Sequence, residues 1–228
     1  MKAIITVREA IEELYKTFAK YPLPAYTDPC LHCHTLDDEA KLHSKPLRLL
    51  QWEDLKEYAN DGLSVWGEED TFKHLLPRLF DLFLYSDHPD VQYLDPEILF
   101  SKFRHGKWRS WPADEQNAVK QLLSAMWRSV LSDPPPESDV YGIDTWLCAI
   151  GQVEDDLSPY LQEWLKSDSL DLTLALLRLT VDPSGFSPFW EDRDAQLRQV
   201  KVWIASTDVT ERIRDAEEGF QRSHDAAN

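Results

Sequence analysis

Residues 170–179 read "LDLTLALLRL", and the fold turns on how that stretch is read. Leucines at 170, 172, 174 and 176 alternate with other residues, as they would along a half-buried strand. The residue types point the other way. Leucine and alanine favour helix, whereas a strand draws on β-branched and aromatic side chains. We read a buried helix here, and with it an all-α protein.

The flanks repeat the helical pattern. Upstream, Leu157, Tyr160, Leu161, Trp164 and Leu165 form one short apolar stripe, and Ile143, Trp146, Leu147 and Ile150 form another. Pro112 opens the strongest helix, with Val119, Leu122, Leu123, Met126, Trp127, Val130 and Leu131 on one face, and Pro134-Pro135-Pro136 stops it. Asp95-Pro96-Glu97 reads as a cap with proline in the first turn. Phe72, Leu75, Leu76, Leu79, Phe80 and Phe83 make an amphipathic helix that Pro77 should kink. Trp52, Leu55, Ala59 and Leu63 precede it, and Ile4, Val7, Ile11, Leu14 and Phe18 come first. Downstream lie Leu197, Val200 and Ile204, then Val209, Ile213, Ala216 and Phe220.

The expectation is a single α-helical domain over residues 1–222, of about ten short-to-medium helices. Successive helix pairs could stack as a solenoid, although no repeat of fixed period is visible. Residues 22–35 form a Pro-rich loop carrying cysteines and histidines. Residues 133–141 form a Pro-rich acidic linker loop, and 223–228 a frayed tail. Only seven glycines occur, and none cluster as a dinucleotide or P-loop turn requires.

The formal charge of −17 and pI near 4.7 argue against a nucleic-acid ligand, which calls for a basic face. They suit a basic protein partner steered in by long-range attraction. No apolar run is long enough for a membrane span, and residues 1–9 lead into no signal-peptide core. Three cysteines are too few for a secreted disulfide framework, so a cytoplasmic location is expected.

Those cysteines define the one stretch that suggests chemistry, "DPCLHCHT" at residues 28–35. Cys30, Cys33 and His34 spell the c-type haem attachment pattern, but that attachment needs export, and no haem is expected. A structural zinc fits better, with Cys30, Cys33, His34 and His43 as candidate ligands and His32 nearby. No second ligand pair accompanies them. The plainer alternative is reduced thiols packed beneath a loop. A thioredoxin-like redox pair would sit at a strand–helix junction, which is missing here.

Three charged segments were weighed. "FKHLLPRL" sets Lys73, His74 and Arg78 on a helix, and is best read as a packing device in which Arg78 pairs with a carboxylate and His74 meets a carbonyl. "KFRHGKWRSW" interleaves Lys102, Arg104, His105, Lys107 and Arg109 with Trp108 and Trp111, and reads as an internal junction with cation–π contacts. Residues 133–171 carry Asp133, Glu137, Asp139, Asp144, Glu154, Asp155, Asp156, Glu163, Asp168 and Asp171. Within that run Asp144, Trp146, Glu154, Asp155, Asp156, Tyr160, Glu163 and Trp164 form the expected partner-binding face, aromatics ringed by acids.

Over most of residues 28–170 the chain resembles a family of all-helical bacterial proteins with no established activity. The matching residues are Cys30 and Cys33, then Pro46, Leu47 and Arg48, then Trp66 and Gly67, then Phe72, Lys73, His74, Leu76, Pro77, Arg78 and Leu79. Asp95, Pro96, Trp108, Trp111, Pro112, Trp127, Trp146, Leu147, Cys148 and Trp164 extend the likeness through residue 170. The resemblance implies kinship and no chemistry. His34 departs from the family pattern, which further weakens the haem reading.

The chain lacks G-x-S-x-G, H-E-x-x-H, the deaminase pattern and a Walker lysine. The expected function is therefore direct binding of a protein, with an immunity protein that neutralises a bacterial toxin as the leading reading by analogy of size and charge. A metal-dependent enzyme or hydrolase using the Cys30/Cys33/His cluster or the acidic loop is the first alternative, and a helical adaptor the second.

Overall fold

The computed structural model describes residues 5–135, 142–167, 169–182 and 186–227. Among these are eleven α-helices, four 3-10 turns and no strand. The stretch that alternates in leucine is helical from Leu170 to Val181, with the Ser169 side chain capping it at the Leu172 N–H. Leu172, Leu176 and Leu179 face inward while Leu170 and Leu174 are exposed, which is helical spacing.

The helices are α1 (Val7–Phe18), α2 (Leu36–Leu42), α3 (Trp52–Asp61), α4 (Glu69–Tyr85), α5 (Pro96–His105) and α6 (Ala113–Ser132), then α7 (Ile143–Val153), α8 (Ser158–Leu165), α9 (Leu170–Val181), α10 (Asp194–Ile204) and α11 (Thr207–Ala227). Capping residues set several starts. Thr6 and Glu9 form a capping box on α1, Thr35 and Asp38 one on α2, and Asp95 caps α5 ahead of Pro96. Helix α4 runs continuously through Pro77, although proline has no N–H for the turn before it. Helix α11 continues to Ala227, past the point where a frayed tail was expected to begin. Ile4, Glu137, Asp139 and Asp168 lie outside the described residues. No helix among the described residues is long and apolar enough to cross a membrane.

The expected single domain is built of two compact units, residues 1–126 and 127–228, whose boundary falls inside α6. In the first, α1 lies along α4. Phe72, Phe80, Phe100, Phe103 and Trp111 pack with centroids 5.3–6.1 Å apart, several edge-to-face. The second is organised around Trp127, Tyr160, Trp164 and Trp203, whose successive ring pairs lie 5.4–6.4 Å apart. Trp190 presses its ring on Gly151 of α7, where a Cβ would come within 2.7 Å of it.

That approach gives a paired prediction. Gly151→Ala should destabilise the protein by about 1–3 kcal/mol, because a buried indole must shift to admit the methyl group. Gly219→Ala, in α11 with nothing within 4 Å of the new carbon, should stabilise it by about 0.5–1 kcal/mol. Urea midpoints of the two variants should move in opposite directions.

Candidate functional site

The Cys/His loop is held in place from within. Glu39, on α2, is buried and accepts hydrogen bonds from the Thr27 N–H at 2.8 Å, the Thr27 hydroxyl, and the Trp66 indole at 3.2 Å. Its other contact is His43 Nε2 at 3.0 Å. Burial alone would raise the Glu39 pKa, but the donors from Thr27, His43 and Trp66 outweigh it and hold the carboxyl below its ordinary range. One carboxylate thus ties the loop, α2 and the Trp66 turn together. In the tied segments Asp28 and Leu63 stand in the left-handed region, at φ 55° and 65°.

On this frame sits the Cys30–Cys33 turn. The Cys30 N–H donates to Val65 O at 2.9 Å, and the Cys33 and His34 N–H groups both reach Cys30 O at 2.9 Å. The backbone N–H groups of His32 and Cys33 and the Cys33 side chain favour the Cys30 thiolate. These donors lower the Cys30 pKa. Cys33 moves the opposite way, held protonated first by its bond to Cys30 and then by burial and the Asp61 charge. Both are free thiols, Cys30 half-buried and Cys33 exposed.

The four expected zinc ligands do not converge. Cys30 and Cys33 meet, but His43 is engaged by Glu39. His34 turns inward against the Trp66 ring at 4.7 Å, with its Nε2 buried and making no hydrogen bond, 3.4 Å from Asp61 Oδ2. Among the described residues, three metal-ligand atoms come within 4.8 Å of one another at Glu53, His88 and Asp90 instead. That group lies on the surface and its members already bond each other: His88 Nδ1 accepts the Asp90 N–H, and its Nε2 meets Glu53.

The expected partner-binding face is corrected by burial. Trp164 and Tyr160 are core residues, the former wholly buried, with Trp127 between their rings, so neither can anchor a partner. Asp144 is also buried, accepting the Ser187 N–H at 2.6 Å and the Trp190 indole at 3.1 Å. Burial pushes its pKa up to about 6. Trp146, Glu154 and Glu163 are half-buried, and Glu163 lies 3.7 Å from Arg128. Asp155 and Asp156 are exposed, yet Asp155 bonds Arg193 at 3.0 Å and Gln196 at 3.2 Å, and Asp156 accepts the Ser158 N–H. The acidic loop is largely a structural joint.

Lys73 and Lys102, both named from sequence without partners, are buried. Lys73 lies over the Trp111 ring at 4.6 Å and meets Glu69 at 2.7 Å and Glu115 at 3.0 Å; Glu115 also bonds Lys20 and Tyr21. Burial works against its charge, and these partners more than restore it. Lys102 donates to Asn60 O at 2.7 Å and Gly62 O at 3.0 Å, and burial lowers its pKa to about 8. His74 meets a carbonyl as read from sequence, Tyr21 O at 2.7 Å, but Arg78, expected to hold two helices through a carboxylate, pairs with Asp81 of its own helix at 2.7 Å and ties to another segment through Leu50 O at 2.7 Å. No family model, curated protein or solved structure matches this chain.

Two predictions follow from the buried carboxylates. Glu39→Ala strands the Thr27 N–H and hydroxyl and takes the carboxylate from His43, and should cost about 2–5 kcal/mol by urea denaturation. An unchanged midpoint would show that the loop is held by other contacts. For Asp144, the folded state keeps a proton that the unfolded chain, with an ordinary carboxyl pKa near 4, gives up. Its contribution to stability is therefore full below about pH 4 and is lost as pH rises through about 6. The stability of the wild type relative to Asp144→Asn should increase between pH 7 and pH 5; a pH-independent difference would rule the assignment out.

Proposed function

We propose that this chain is an acidic protein-binding protein that captures a basic protein partner, and that the partner is a bacterial toxin which it neutralises. The observation that carries the reading is the direction of the charges. The chain has 41 acidic and 24 basic side chains. Several of the basic ones are spent indoors: Lys73 on Glu69 and Glu115, Lys102 and Arg212 on backbone carbonyls, and Arg193 largely so. Lys102 is buried, Arg193 and Arg212 are half-buried, and Arg193 also meets Asp155, while the formal charge of the chain is −17. The outward field is therefore strongly negative, which speeds encounter with a cationic partner.

An enzymatic reading has less support. Asp155 and Asp156 are taken up in loop bonds, and Cys30 and Cys33 are joined by no third ligand atom among the described residues.

The test is co-expression of this chain with the product of the adjacent gene. Relief of that product's toxicity, and a purified complex whose association rate falls at least about tenfold from low to high salt, are the expected results. If growth is not restored, the immunity reading fails. If a complex forms at a salt-independent rate, the charge is only a solubility device.

A further inference from the structure

We propose that Cys30 and Cys33 form a redox-active pair that exchanges with low-molecular-weight disulfides and closes reversibly to an intramolecular disulfide. The geometry is already that of the product. The Cys33 N–H to Cys30 O bond of 2.9 Å closes a four-residue turn. Such a turn holds its end Cα atoms within about 7 Å, and a disulfide spans about 4.4–6.8 Å. The two thiols lie near enough to shift each other's pKa, Cys30 downward and Cys33 upward. Closure asks for no movement of Val65, Thr27 or Glu39, which fix the ends of the turn from outside it.

The two sulfurs are unlike, and the difference orders the steps. Cys30 is the half-buried one, inside the closed turn, and the backbone N–H groups of His32 and Cys33 favour its thiolate. Cys33 is the exposed one, with the Asp61 carboxylate near it. The Cys30 thiolate attacks one sulfur of a disulfide RSSR; a Cys30–SR bond forms and RS⁻ leaves. The Cys33 thiol then gives its proton to that thiolate and attacks the Cys30 sulfur, expelling the second RS⁻, which takes a proton from water. The hydroxide so formed is neutralised by the proton that Cys30 lost on ionising. Two thiols are oxidised, one RSSR is reduced to two RSH, and two electrons pass between them.

The surroundings are those of a reactive pair rather than of packed structural thiols. Leu31, inside the turn, is 60% exposed, and Tyr26, Leu36 and Val65 on adjoining segments are exposed too. Beside the turn the buried His34 Nε2 has no hydrogen-bond partner. Cys148 provides the contrast, a buried thiol on α7 within contact of Gln152.

The full-length protein, first freed of metal with a chelator, is equilibrated in glutathione buffers of graded ratio, then alkylated and weighed intact. Oxidising buffers should remove two alkylatable thiols together, with Cys148 still labelled after unfolding, and reduced glutathione should restore both. Cys33→Ser should accumulate a mixed glutathione disulfide on Cys30, formed at least about threefold faster than any on Cys33 in Cys30→Ser. Helical circular dichroism in each sample guards against unfolded thiols. Two thiols that stay alkylatable in fully oxidised glutathione overturn the proposal in the wild type alone, without any variant. Equal rates in the two variants overturn the order of attack.

Discussion

A buried indole N–H has one direction and one bond to make, and leaving it unmade costs about 1–3 kcal/mol. Five tryptophans of the molecule meet that constraint, while the buried N–H groups of Trp52 and Trp203 make no hydrogen bond. Trp66 donates to Thr27 Oγ1 at 2.7 Å, Trp111 to Gly106 O at 2.8 Å, and Trp127 to Tyr160 O at 2.9 Å. Trp164 donates to Leu172 O at 3.2 Å and Trp190 to Asp144. Four of these five bonds join one element to another: the Trp66 turn to the Cys/His loop, α6 to α8, α8 to α9, and the Trp190 turn to α7. Short helices have few side chains with which to specify a neighbour. A tryptophan can do it twice, with a large ring to bury and a donor to place on a neighbouring element.

The same problem recurs at helix C-termini, where the last carbonyls have no partner within the helix. Here cations from distant segments supply one. Lys102 reaches the end of α3 at Asn60 and Gly62, Arg193 reaches Gly151 and Glu154 at the end of α7, and Arg212 reaches Trp164 and Leu165 at the end of α8. Positive charge is favourable at that pole of a helix. Joining helices this way aims these cations chiefly at backbone carbonyls, although Arg193 also meets Asp155, so the acidity of the exposed surface is partly a by-product of how the helices are terminated.

Long stripes were legible because burial and periodicity coincide in them. α4 and α6 are examples, and α9 shows that residue type can decide between periods when spacing is ambiguous. α2 was not anticipated. Seven residues reading "LDDEAKL" carry no stripe, and the helix is defined by the Thr35/Asp38 box and by what Glu39 binds. The T-x-x-D spacing was the available signal. The misplaced partner face has a sharper lesson. Tyr160 and Trp164 belong to the apolar stripe that identified α8, and a stripe that makes a helix amphipathic is the face it buries. Local acidity in sequence made them look exposed. Asp144 misled in the same way, since nothing near it in sequence announces the Ser187 and Trp190 donors 43 and 46 residues on.

The Cys/His loop shows why a site can be visible in sequence while its chemistry is not. C-x-x-C fixes that two sulfurs can meet, because a turn of four residues closes on itself. Whether they form half of a metal site or a redox pair depends on where the histidines go, and that is settled at a distance. Glu39 draws His43 to itself, and Trp66 draws His34 inward. With both imidazoles committed, the sulfurs are left with backbone N–H donors and with each other. A carboxylate that orders the loop therefore also selects among the chemistries that its cysteines could have performed.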